Sequence, residues 1–180
     1  MAAKTNYIRE YYDAICAGRV TVGKWVRLVY EILISRLDSG EYIFDAKKAS
    51  KAIKFIENFC HHSEGRNDLL KLELWQKAIV SAIFGIVDEE GYRQFREVFI
   101  VIARKNGKTL FAAAIIAYMS YVDGEYGAKI FCLAPKLEQA DLVYDAFYQI
   151  VQSDPELSDP DLTKKRRSDI YIVDLNTSCL

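Results

Sequence analysis

The chain has 180 residues, 51 % of them apolar and 27 % charged, with a net charge of −1. That length suits one domain with a sizeable core, or a domain with a helical extension, and the composition is that of an ordinary globular chain. The near-zero net charge provides no global basic field, so any contact with nucleic acid or a membrane has to come from a local patch.

Residues 5–17 read as a helix, with Gly18 as its stop. Residues 22–37 carry Val22, Trp25, Val26, Leu28, Val29, Ile32, Leu33 and Leu37, which is helical spacing with a broad apolar face. Asp38-Ser39-Gly40 ends that helix, and Asp45 is placed to cap a third one, where Ala49, Ala52, Ile53, Phe55, Ile56 and Phe59 recur at helical intervals. Residues 63–68 (SEGRND) are polar and loop-like, a fourth helix is expected over about 72–86, and residues 88–91 (DEEG) make a turn. The first ninety residues are therefore expected to be all-helical.

The pattern then changes. Residues 98–103 (VFIVIA) form a short, apolar, β-branched run, expected as a buried strand of a parallel sheet. A helix is expected from 109 to about 122, a second strand over 128–134, a helix over 137–151 and a third strand over 169–175. Strand–helix–strand–helix–strand implies a parallel sheet with right-handed crossovers.

The four cysteines, Cys16, Cys60, Cys132 and Cys179, are scattered, with no CxxC pair. No export signal opens the sequence, so a cytosolic chain with reduced thiols is the expectation. The longest apolar run, 110–119, is too short to span a bilayer. Cys60-His61-His62 is not expected to bind metal, because adjacent helical histidines point to different faces. The basic run 164–167 (KKRR) can touch DNA phosphates, but such runs are more often solvated loops, and that is the reading taken.

Residues 103–109 (ARKNGKT) stand between the first expected strand and its helix. A triphosphate needs backbone N–H groups around its oxygens, a positive charge at the β and γ phosphates and a hydroxyl on the magnesium. Gly107 lets the backbone approach, Lys108 supplies charge and Thr109 the hydroxyl. The helix N-terminus adds its dipole, and Arg104 and Lys105 add charge beside it. The usual loop opens with a glycine five positions before the Gly-Lys pair; here that position is Ile102.

Residues 95–109 (FREVFIVIARKNGKT) resemble the variant Walker A of the large terminase subunits of tailed phages, which often lacks the first glycine. Residues 72–85 (LELWQKAIVSAIFG) are similar to that family's adenine-recognition segment, 44–62 to the helix before it, and 133–147 (LAPKLEQADLVYDAF) to the motif after the P-loop helix. The resemblance implies a P-loop NTPase-type parallel sheet, incomplete here, preceded by an all-helical region, with 1–70 as that region and 71–180 as the front of the ATPase domain. It implies a motor that uses ATP and Mg2+ to package double-stranded DNA into capsids in the host cytoplasm. Its partners would be the portal protein, the small terminase subunit and further copies of itself, with no membrane.

Position by position, the resemblance gives Lys108 to the β and γ phosphates, Thr109 to magnesium and Arg104 to the γ phosphate, with Lys105, Asn106 and Gly107 completing the loop. Gln76 would read the adenine edge, with Trp75 packed nearby; helix core is an equal reading of Trp75. Gln139 reads as an exposed helical residue. Hydrolysis also needs a strand ending in Asp-Glu, one holding the magnesium and the other orienting water. Downstream of the loop the sequence holds no such pair. Asp174 is the single candidate for the metal-side carboxylate, and Leu175 stands where the glutamate belongs. The family's nuclease domain is also absent from the sequence. The expectation is a front piece that binds ATP and does not turn it over. A helicase-type P-loop ATPase and a non-enzymatic interaction module stay open as alternatives.

Overall fold

The computed structural model describes residues 5–62, 65–66, 68–166 and 169–180. These fall into two compact units that are not consecutive in sequence. The first comprises residues up to Lys54 together with Leu72–Ile100, and the second Phe55–Lys71 with Val101–Leu180.

The first unit is built on helices. Helix α1 (Tyr7–Cys16) starts where the Asn6 side chain accepts hydrogen bonds from the N–H groups of Ile8 and Arg9. Its Ile8, Tyr11 and Ile15 lie on one face and enter a core with Tyr30 and Ile34 of α2 (Lys24–Asp38) and Ala78 of α4 (Leu74–Gly85). Tyr11 and Tyr30 meet edge to face at 4.8 Å. Burial pushes the Tyr30 phenol well above its ordinary pKa, so it serves as a neutral core group. An Arg9–Asp38 ion pair joins α1 to the end of α2 on the surface.

Asp45 caps α3 (Ala46–Phe59) as expected, its Oδ1 accepting from the N–H groups of Lys47 and Lys48 at 2.8 and 3.1 Å. The chain before and after these helices pairs in a small antiparallel ladder, β1 (Ile43–Phe44) with β2 (Ile86–Val87), that the sequence reading did not anticipate. The turn at 88–91 is present, with Asp88 Oδ1 accepting from the N–H groups of Glu90 and Tyr92. Gly85 closes α4 where a side chain does not fit. A Cβ there would lie 2.8 Å from both the Ala49 Cβ and the Phe44 ring. Gly85→Ala is expected to destabilise by about 1–3 kcal/mol in urea unfolding, despite alanine's better helix propensity, because overpacking outweighs the propensity gain of about 1 kcal/mol.

The second unit packs α5 (Lys108–Tyr121) against α6 (Leu137–Ser153). Phe111, Ala113, Ala114, Ala117 and Tyr118 from α5 and Ala140, Ala146, Phe147, Ile150 and Val151 from α6 are buried. The small alanines let the two helices approach closely while Phe147 fills the space between larger neighbours. A four-stranded sheet runs in the order β3 (Lys129–Ile130), β6 (Thr177–Cys179), β5 (Ile170–Ile172), β4 (Thr163–Lys165). Tyr121, at the end of α5, is held by Thr163 Oγ1 at 2.7 Å, and burial pushes its phenol up to about 12.

This sheet corrects the expected all-parallel arrangement. Only β3 and β6 are parallel; β4–β5 and β5–β6 are antiparallel. The reason is connection length. Four residues, 173–176, join β5 to β6, and four, 166–169, join β4 to β5. A parallel crossover takes a dozen or more residues, so short links force hairpins. Asn176 turns the second one with φ +51°, a conformation that asparagine tolerates. The strand expected at 169–175 is therefore β5 alone, and its second half is a turn.

Residues 98–103 are likewise not a buried strand. They join no ladder among the described residues, and Phe99 and Val101 are 92 % and 80 % exposed. An apolar β-branched run states that a segment suits a sheet, not which strand it meets. The loop expected at 63–68 lies partly outside the described residues, which lack 63, 64 and 67. Among the described residues no helix is long and apolar enough to cross a membrane.

Candidate phosphate-binding loop

The chain leaves residue 101 in irregular backbone and turns through Arg104, Lys105, Asn106 and Gly107 into the first turn of α5. Two of these residues take left-handed backbone: Lys105 at φ +66° and Gly107 at φ +66°. Gly107 accepts that conformation freely, whereas a lysine loses roughly 1–2 kcal/mol by it. Asn106 lies between them and holds the turn. Its Nδ2 donates to the carbonyls of Ala103 and Arg104, both at 3.2 Å. Left-handed residues one apart in a turn are a feature of anion-binding nests, in which successive backbone N–H groups converge.

The first turn of α5 continues the same theme. Its N-cap, Gly107, has no side chain to accept from the helix N–H groups, and no acidic residue stands in that turn. Lys108 occupies the first helical position, where a cation opposes the helix dipole by about 0.3–1 kcal/mol. A strained lysine, an uncapped N-terminus and a cation at the wrong end of the dipole each oppose local stability. An anion on the loop would pair with the free N–H groups and the Lys108 charge and so offset the backbone strain. Arg104, Lys105, Asn106, Gly107 and Lys108 are exposed, and Thr109 is half-buried with its backbone in the first helical turn.

The structure thus brings together Arg104, Lys105, Asn106, Gly107, Lys108 and Thr109. Trp75 and Gln76 belong to the first compact unit, the loop to the second. Trp75 is half-buried against the core of its unit. Gln76 is buried, and its Oε1 accepts from the Glu73 N–H at 2.8 Å, while the Glu73 carboxylate accepts from the Gln76 N–H. This reciprocal pair is a capping box for α4, and its Glu-x-x-Gln spacing was readable at positions 73 and 76. Asp174 stands exposed in the turn between β5 and β6. It therefore lies in an antiparallel hairpin, not at the C-terminal end of a parallel strand as the sequence reading had it.

The basic run also differs from a solvated loop. Lys164 and Lys165 lie on β4 at the sheet edge. The Lys165 ammonium reaches Tyr144 Oη at 2.5 Å and sits 4.4 and 4.6 Å from the ring centres of Tyr144 and Tyr148. Arg166 stacks on Tyr171 at 3.7 Å and lies 3.6 Å from Asp169. Much of the run's charge is thus engaged within the unit, by Tyr144 and Tyr148 of α6 and by the nearby Tyr171. Arg167 lies outside the described residues. Burial, with the Asp154 carboxylate nearby, pushes the Cys60 thiol up to about 12, His61 lies 4.0 Å from the same Asp154, and His62 meets Arg66 at 2.6 Å.

The family model for the terminase large subunit ATPase domain matches residues 74–179, more than half of the chain and the whole of the loop with α4, α5 and α6. The protein belongs to that family. Its fold is similar to the crystal structure of the HK97 bacteriophage large terminase, with a TM-score of 0.62 and 24 % sequence identity over 73 % of this chain. The chain spans 26 % of the length of that terminase. No curated protein matches it.

Proposed function

We propose that this chain is the nucleotide-holding front of a phage DNA-packaging ATPase, with residues 1–70 as a helical extension and 71–180 as the first part of a P-loop ATPase domain. The observation that supports it most is the loop at 103–107, twice left-handed, braced by Asn106 and opening onto an uncapped helix. These features suit a triphosphate. Lys108 would contact the β and γ phosphates, Arg104 the γ phosphate, and the N–H groups of the loop and α5 the remaining oxygens. Thr109 would hold Mg2+ through its hydroxyl. Magnesium, when bound, neutralises phosphate charge and positions the γ phosphate.

Gln76 lies in the first unit, and any adenine contact there would fall to its amide N–H groups, because its carbonyl oxygen already caps α4. Hydrolysis is not assigned to this chain. The sequence offers no Asp-Glu pair after the loop, and Asp174 stands in a hairpin turn. The partners proposed for the complete machine are double-stranded DNA, the portal protein, the small terminase subunit and further large subunits, in the host cytoplasm.

Calorimetric titration with MgATP tests this reading. Saturable binding at one site without phosphate release is the expected result. A folded chain that binds no nucleotide would leave the interaction-module reading instead. Within the same assay, Asn106→Ala is expected to weaken ATP about 10- to 30-fold, since each of the two lost loop hydrogen bonds contributes on the order of 1 kcal/mol to the prepared geometry. Its thermal midpoint should shift little, because Asn106 is exposed.

A further inference from the structure

Of the five asparagines in the chain, Asn106 alone is followed by glycine. A backbone nitrogen can attack the side-chain carbonyl carbon of the asparagine before it, and the side chain on the attacking residue is the main obstacle. Glycine has none. Its surroundings are open as well, since a Cβ built at Gly107 would meet no heavy atom within 4 Å. The Gly107 N–H enters no hydrogen bond among the described residues, so the fold does not tie up the nucleophile. Asn106 and Gly107 are both exposed, which admits water.

The loop also favours the charge that the attack creates. Loss of the nitrogen's proton and addition to the carbonyl both place negative charge at the site. Arg104, Lys105 and Lys108 stand within two residues of Asn106, and the first turn of α5 has neither a side-chain cap nor an acidic residue. A positive local field of this kind stabilises the anionic form. One restraint opposes the reaction. The hydrogen bonds from Asn106 Nδ2 to the carbonyls of Ala103 and Arg104 must open before Cγ can reach the Gly107 nitrogen. Both lie in an exposed loop, where local opening costs little. Asn176 is the natural comparison. It is also exposed in a turn with left-handed backbone, but the β-branched, buried Thr177 of β6 follows it.

We propose that Asn106 is a modification site, converted spontaneously to aspartate and isoaspartate through the Gly107 nitrogen. The bond from that nitrogen to Asn106 Cγ forms, the Cγ–Nδ2 bond breaks, and ammonia leaves with the proton of the Gly107 N–H. Water then opens the cyclic imide. Cleavage between Cγ and the Gly107 nitrogen yields aspartate; cleavage at the main-chain carbonyl carbon of Asn106 yields isoaspartate. The net exchange is one water taken up and one ammonia released, with no electron transferred. Either product carries a carboxylate and has no side-chain N–H to donate to Ala103 and Arg104. Isoaspartate also lengthens the main chain by a methylene. The effect on nucleotide rests on the reading that this loop holds the phosphates. On that reading Asn106→Asp, which reproduces one product, weakens ATP at least about 100-fold, beyond the effect of Asn106→Ala.

Incubation of the whole chain for days in neutral heavy-oxygen water, without nucleotide, tests the proposal by peptide mass spectrometry. The heavy oxygen enters only with hydrolysis during the incubation, so conversion during digestion is not counted. The expected result is label at Asn106 at least about tenfold faster than at Asn176, divided between aspartate and isoaspartate. Conversion no faster than at Asn176 would overturn the proposal. Aspartate without isoaspartate would overturn it too, because direct hydrolysis of the side-chain amide would then be the route. No nucleotide is present, so failure here leaves the proposed function standing. A chain that converts at Asn106 but binds no ATP would support the modification site and remove that function alone.

Discussion

Phe147→Ala is expected to lower the unfolding free energy by about 3–5 kcal/mol, the range for removing a fully buried aromatic ring. Phe147 is wholly buried on α6, on the face that meets α5. The loss combines the transfer free energy of the ring with the cavity left among neighbours such as Ile150 and Val151. Small domains hold only about 5–15 kcal/mol in total, so this one change removes a large share of it. Urea unfolding followed by far-UV circular dichroism measures the effect. Leu142→Ala on the same helix is the control: Leu142 is exposed, and its change should stay within about 0.5 kcal/mol. Equal effects at the two positions would mean that α6 packs through a different face.

Lys108→Ala is expected to weaken nucleotide binding by about 10- to 100-fold, the worth of one charge-assisted phosphate contact. Stability should move the other way. Lys108 opposes the helix dipole at the first position of α5, so its removal should leave the unfolding free energy unchanged or raise it by up to about 1 kcal/mol. The opposed signs separate a ligand contact from a structural one. Lys108→Arg should not recover full affinity, because a planar guanidinium does not present its charge as a compact ammonium does. Parallel calorimetry and thermal melts supply both numbers. A large loss of stability together with binding would make Lys108 a structural residue.

The helices were legible in the sequence because their signals are local. Asp45 caps α3 and Asp88 organises the 88–91 turn through hydrogen bonds that span two to four residues. The apolar periodicity of 137–151 located α6 to within two residues of its observed ends. Strand pairing was not legible from apolar runs, since it depends on partners elsewhere in the chain. The four-residue links on either side of β5 dictate antiparallel hairpins once β4 and β6 are known, but neither of those three-residue strands carries an apolar run that marks it in the sequence. Within the loop, the phosphate-type residues were legible from Gly107-Lys108-Thr109. The brace from Asn106 to the carbonyls of Ala103 and Arg104 was not, because an asparagine in a turn has several local partners to choose from. The engagement of Lys165 by Tyr144 and Tyr148 lay beyond sequence reach altogether, since about twenty residues separate them and only the fold brings β4 onto α6.

In the proposed function residues 103–109 hold the phosphates. Amide hydrogen exchange of the whole chain, with and without saturating MgATP, tests it at the site itself. Slowed exchange is expected at the N–H groups of residues 104–110, the loop and the first turn of α5, with loss of that protection in Lys108→Ala. Nucleotide-dependent protection that leaves 104–110 unchanged, or that survives in Lys108→Ala, would contradict it.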